Sequence, residues 1–234
     1  MKPNVLAVIP ARAGSKRLPK KNTLPLNGRP LIEWTIEAAK SAAYLDSVIV
    51  STDCHLIANL ARQSGIKVPF IRPEYLSHDT ASSVDVAIHA IEQCKEYSPE
   101  WLILLQPTSP LRTAEHIDQA LKKAIEREAD AIVSVCPVEH PPQWTGVLGD
   151  NDSMSQFFNS TTDATKQSQQ LASHYRLNGA IYIIRVKTLL KYRTFHPPGK
   201  VFAFKMPCSA SVDIDTKHDF EFAQFLMQAR KEHN

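Results

Sequence analysis

The sequence predicts an α/β fold built on a mostly parallel sheet, and three observations predict it. Short apolar runs alternate with segments of helical periodicity. Polar and charged clusters follow those runs directly, where an open α/β sheet holds its ligands. The chain of 234 residues is 43% hydrophobic, enough for one α/β domain with a small appendage and an ordinary core.

The elements follow in order. Val5 to Ile9 reads as a buried strand. The turn Asn27-Gly28-Arg29-Pro30 opens a helix carrying Leu31, Trp34, Ile36 and Ala38, with Pro30 acceptable at a first position. Ser47 to Asp53 is a short buried strand followed by a cap, and the next helix, Leu56 to Gln63, stops at Gly65. Ile66 to Ile71 is expected as a third strand, broken by Pro69. Ser77 to Ser83 precedes a helix carrying Val84, Ala87, Ile88 and Ile91. Trp101 to Leu105 is the central-strand candidate, and it runs into Gln106-Pro107-Thr108-Ser109-Pro110-Leu111-Arg112. A helix from Ala114 to Glu128 and a strand from Ala131 to Cys136 come next.

The character changes after Pro137. Residues 138 to 176 are rich in Gln, Ser, Thr, Asp and Asn, and show no clear periodicity. That is too long for an ordinary connection, so it reads as a mobile lid or an arm that orders on a partner subunit. Asn178 to Ile184 is a strand, and the alternation in Val201 to Met206 suits an edge strand. The last helix, Thr216 to Lys231, carries Phe220, Ala223, Phe225, Leu226 and Met227 on a broad apolar face.

Net charge is only +3, so a global basic field for nucleic acid is excluded. No run approaches the ~18 apolar residues that cross a bilayer. Four widely spaced cysteines, at 54, 94, 136 and 208, read as free thiols, and the chain reads as a cytoplasmic protein.

Positive charge is concentrated in Pro10 to Asn22, directly behind the first strand. Gly14 allows close backbone approach, Ser15 offers a hydroxyl, and Arg12, Lys16, Arg17 and Lys21 supply cations. Such a loop suits a polyanion. Basic runs are usually just solvated, but the buried strand before this one and the stiffening prolines at 10 and 19 weigh against that. Neither a Walker pattern nor G-x-G-x-x-G is present. Asp213 and Asp215 share a face of an extended backbone, and paired hard oxygens suit Mg²⁺. The competing reading is that Thr216-x-x-Asp219 is a capping box and Asp215 caps the final helix. Asp53 is expected as a helix cap, and so are Ser82 and Ser83. Gln106 either reads a base edge or bonds the backbone of its proline-rich turn.

The chain resembles the CMP-N-acylneuraminate synthetases, cytidylyltransferases that activate nine-carbon keto sugar acids. The resemblance spans nearly the whole chain. It rests on Pro10–Asn22, Val50–Asp53, Arg72-Pro73, Ser77–Ser83, Leu105–Arg112, Asn178–Tyr182 and Asp213-Ile214-Asp215, taken in that order. It implies a Rossmann-like, three-layer nucleotidyltransferase sheet in a single domain over 1–234, with 138–176 as an exchanged arm serving dimerisation and sugar binding. It implies a homodimer that uses CTP and Mg²⁺. Lys21, Asp213 and Asp215 would be catalytic, with both aspartates as metal ligands. Arg12, Ala13, Ser15, Lys16, Asn22, Arg72, Ser83 and Gln106 would bind nucleotide. Gln106, Asn178, Gly179, Ala180 and Tyr182 would meet the sugar acid.

The chain also departs from that pattern. Trp144 and Ser168 stand where some family members carry the cations that hold the sugar carboxylate, with Lys166 a possible substitute for the second. Neuraminate, legionaminate or another nonulosonate therefore all remain open. An enzyme for the eight-carbon acid 3-deoxy-octulosonate ranks lower because Lys16-Arg17 replaces its Thr-Arg pair. A catalytically dead nucleotide-binding protein is disfavoured by the intact Lys21, Asp213 and Asp215.

Overall fold

A computed structural model describes residues 3–157 and 171–232. Ser168 and Lys166 lie outside them. The strands are β1 (Val5–Pro10), β2 (Pro25–Leu26), β3 (Arg29–Pro30), β4 (Ser47–Ser51), β5 (Trp101–Leu104), β6 (Ala131–Pro137), β7 (Tyr175–Arg185) and β8 (Val201–Lys205). The helices are α1 (Leu31–Ser41), α2 (His55–Gln63), α3 (Ser83–Gln93), α4 (Ala114–Glu126), α5 (Val186–Tyr192) and α6 (Lys217–Glu232). Six strands form one sheet in the order β4-β1-β5-β7-β6-β8. β1 runs parallel to β4 and β5, and β6 runs parallel to β8. Only β7 is reversed, antiparallel to β5 and to β6 on either side.

Alternation along β1 divides the core. Val5, Ala7 and Ile9 face Ile32 and Ile36 of α1, Ala58 of α2 and Ile117 and Leu121 of α4. Leu6 and Val8 face Ala87, Ile88 and Ile91 of α3 and Leu189 of α5. Both faces are covered, so the central strands read as unbroken apolar runs rather than alternating ones. A third cluster packs Leu26, Leu31 and Leu111 against Val212, Ile214, Ala223 and Met227. It docks the segment before α6 beside the first loop.

The structure departs from the sequence reading at four points. Residues 66–71 form no strand, only single bridges from Lys67 to Ile49 and from Ile71 to Thr52, because Pro69 lacks the N–H a ladder needs. Asn27 and Gly28, both with positive φ, close the β2–β3 hairpin before α1 begins rather than opening the helix directly. Helix α5, seven residues long, follows β7 without a break and was not visible as a periodic pattern. Phe225 is 62% exposed and leaves the apolar face of α6. The expected edge strand is borne out as β8, and the four cysteines are free.

Candidate active site

The loop behind β1 is tied down before its cations are placed. Ala11 N–H donates to Ser51 O and Ala13 N–H to Asp53 Oδ1, both at 2.9 Å. The Asn22 side-chain amide donates to Arg12 O. Asp53 is thus a tether of this loop rather than a cap of α2, whose N-cap is Cys54. Ser82 does cap α3, accepting from Val84 N–H, while Ser83 is the first residue of that helix and lines the cleft.

Lys21 is 9% exposed and bridges the two ends of the chain. Its Nζ donates to Ile214 O at 2.5 Å and to Asp215 Oδ1 at 3.1 Å. Arg17 Nη2 reaches Asp215 Oδ2 at 2.9 Å. The buried Val212 and Ile214 alternate with Asp213 and Asp215, so both carboxylates face one cleft, as the extended spacing predicts. The capping question is also decided. Asp219 Oδ2 accepts from the N–H groups of Asp215 and Thr216, and Thr216 Oγ1 accepts from Asp219 N–H. Thr216 and Asp219 cap α6 between them, leaving the Asp215 carboxylate to the cations.

Asp213 sits deeper. Thr108 donates its hydroxyl to it, yet burial, reinforced by the charge on Asp215, holds its carboxyl above the usual carboxylate range. Gly179, at φ +71°, brings the β7 backbone against this group. A Cβ built there would lie 3.0 Å from Gln106 Oε1 and 3.3 Å from Asp213 Oδ2. Only glycine adopts that conformation and leaves that space without cost. Beneath lies Arg112, 2% exposed, which donates to the backbone carbonyls of Gln106 and Ala180 and to Thr35 Oγ1. Burial pushes its guanidinium down to about 9, which still leaves it charged at neutral pH. Burial likewise lowers Arg72, with Asp53 opposing the shift.

The resulting cleft, about 330 Å³, is lined by Arg12, Ser15, Lys21, Asn22, Arg72, Ser83, Gln106, Asp213 and Asp215. Nine of the expected residues thus converge. Lys16 lines a neighbouring shallow depression instead. Ala13 contributes its tethering N–H. Asn178 is buried, and its side chain is spent on Ser134, Ser211 and Met206. Ala180 is fully buried under the cleft. These two are buried behind the cleft wall, with the Asn178 side chain engaged in hydrogen bonds. Tyr182 is half-buried against Phe195, 5.3 Å between ring centroids, and burial together with the charge on Asp213 raises its hydroxyl.

Sequence reasoning missed Asp79, Thr108 and Arg112. Asp79 joins Arg12 and Lys16 at 2.7 and 2.6 Å. All three lie inside stretches that carried the resemblance, but nothing in their spacing announced a role.

A mostly parallel sheet with a cation-rich loop and two carboxylates at one rim is a nucleotidyltransferase-type arrangement. The family model for cytidylyltransferases matches residues 6–232, and the chain belongs to that family. Among its relatives, the CMP-N,N'-diacetyllegionaminic acid synthase of Legionella pneumophila is 34% identical, over 97% of this chain and 98% of that protein. The pseudaminic acid cytidylyltransferase of Campylobacter jejuni is also 34% identical, over 97% of each chain. The N-acylneuraminate cytidylyltransferase of Escherichia coli is 36% identical, over 98% of this chain and 54% of that protein. A solved CMP:2-keto-3-deoxy-manno-octonic acid synthetase complexed with CTP shares the fold, with a TM-score of 0.73 at 18% identity, covering 97% of this chain and 99% of that one. Among the described residues no helix is long and apolar enough to cross a membrane.

Proposed function

We propose that the chain transfers CMP from CTP to the anomeric hydroxyl of a nine-carbon keto sugar acid of the N-acylneuraminate type, releasing pyrophosphate. The observation that carries this reading is the 3.1 Å contact between Lys21 and Asp215, which joins the first-loop cations to the carboxylate pair in one cleft. A second reading, N,N'-diacetyllegionaminate as acceptor, is supported by the 34% identity to the legionaminate relative over 97% of this chain.

In this reading Arg12, Lys16, Arg17 and Lys21 hold the triphosphate, and Ser15 and Asn22 shape its loop. Arg72, Ser83 and Gln106 lie along the nucleoside, with the Gln106 amide on the base edge. Among the described residues no three His, Cys, Asp or Glu side chains group to hold a metal alone. Asp213 and Asp215 would hold a Mg²⁺, a hard ion that favours carboxylate, water and phosphate oxygens. Such an ion would supply neutralisation of phosphate charge. The sugar hydroxyl oxygen forms a bond to the α-phosphorus, the bridging P–O bond to the β-phosphate breaks, and pyrophosphate departs. In this reading Asp213 either holds an ion or accepts the hydroxyl proton. The cations stabilise charge growing on the leaving group, and positioning does the rest. A homodimer built through residues 138–176 belongs to this proposal. The exposed Trp144, Val147, Leu148, Met154 and Tyr175 support an arm that packs on a second copy.

Pyrophosphate release from CTP, measured against a panel of neuraminate, legionaminate, pseudaminate and the eight-carbon acid, tests the reading. Release with a nine-carbon acid is expected, and silence with every acid refutes it.

A further inference from the structure

Asp79 occupies both cations at the outer end of the cleft. Its Oδ1 meets Arg12 Nη1 at 2.7 Å and its Oδ2 meets Lys16 Nζ at 2.6 Å, one oxygen to each, as a phosphate would engage them. The segment that carries it is pinned at both feet. Ser77 accepts from Arg72 Nε at 3.3 Å and donates to Pro73 O, and Ser82 caps α3. Between those pins Asp79 forms the wall shared by the main cleft and the shallow depression beside it, which Lys16, His78 and Thr80 also line. Asp215 engages Lys21 and Arg17 at the inner end. Each end of the cation row therefore has its own carboxylate.

We propose that Asp79 competes with the substrate's terminal phosphates for Arg12 and Lys16, and so promotes release of pyrophosphate after transfer. The inference rests on the nucleotidyl-transfer reading above. When the triphosphate enters, Arg12 and Lys16 exchange carboxylate oxygens for phosphate oxygens. Once the α-phosphorus has left with the sugar, the shorter pyrophosphate holds fewer groups, and Asp79 takes the two cations back. No covalent bond changes in this exchange. The opposite role is physically distinct: if Asp79 only orients the two cations, its removal loosens them and weakens anion binding.

Calorimetric titration of the whole chain with inorganic pyrophosphate, in metal-free buffer at fixed ionic strength, separates the two. Asp79→Asn keeps the shape and removes the charge, and is expected to bind pyrophosphate about three- to tenfold more tightly, the range that two partly exposed ion pairs can supply. Asp79→Glu restores the wild-type value. Asp85→Asn, which removes an equal charge from a carboxylate paired with Arg193, leaves affinity unchanged and excludes a general field effect. Arg12→Ala weakens binding. Unchanged or weaker binding by Asp79→Asn, with Arg12→Ala still weakening, overturns the inference alone. If Arg12→Ala has no effect either, the phosphate-loop reading falls with it.

Discussion

Replacing Gly179 by alanine probes the geometry of the cleft floor. Two costs are separable. The left-handed conformation at φ +71° costs an L-residue roughly 1–2 kcal/mol. A chain of this length loses about 2–4 °C of Tm per kcal/mol, so a fall of about 2–8 °C is expected. The second cost is steric. A new Cβ at 3.0 Å from Gln106 Oε1 and 3.3 Å from Asp213 Oδ2 must displace both groups by a few tenths of an ångström. Because a full 1 Å displacement can cost about 10² in rate, a loss of about tenfold in kcat/KM is expected. Gly28 supplies the control, since it has φ +79° but nothing within 4 Å of its virtual Cβ. Gly28→Ala should lose comparable Tm and keep its activity. Thermal unfolding by circular dichroism and continuous pyrophosphate release measure the two quantities. If Gly179→Ala loses Tm like Gly28→Ala yet retains full kcat/KM, then Gln106 and Asp213 are not held in working positions by that backbone.

Gln106→Ala should narrow the preference for CTP over UTP about tenfold while changing stability by less than about 0.5 kcal/mol, as competing kinetics and denaturant melts would show. An unchanged nucleotide preference removes it as a base reader. Asp213→Asn should cost about 10²-fold or more in turnover yet raise Tm at neutral pH in metal-free buffer. The sign follows from the raised carboxyl: folding favours its protonated form, a contribution present at acid pH and lost as pH climbs through the raised folded value. The gain in Tm should therefore vanish at acid pH, and a variant less stable at neutral pH contradicts the assignment. Removing residues 143–170 should give monomers on sizing chromatography, and persistent dimers refute the arm.

The six strands of the main sheet, most helices and the ligand rim were legible because buried parallel strands are continuous apolar runs and their ends are polar. The reversed β7 was not, since an antiparallel insertion between β5 and β6 leaves the same apolar run as a parallel one. Helix α5 is too short to show a period. Lys21, Asp215 and Gln106 announced themselves by chemistry at strand ends. The Asn178–Tyr182 motif is distinctive in sequence, but the packing it encodes was not legible: a buried amide network with Ser134 and Ser211, and a glycine that admits Asp213. Asp79 and Arg112 act through residues distant in sequence, and no local pattern encodes such partners.

In the proposed reaction, cations from the start of the chain and carboxylates from near its end grip the same ligand. Calorimetric titration of CTP with and without Mg²⁺, on the native chain, Lys21→Met and Asp215→Asn, tests that most directly. The account predicts that Lys21→Met weakens CTP binding under both conditions, while Asp215→Asn abolishes only the gain that Mg²⁺ brings. An Asp215→Asn chain that keeps the whole Mg²⁺-dependent gain contradicts it.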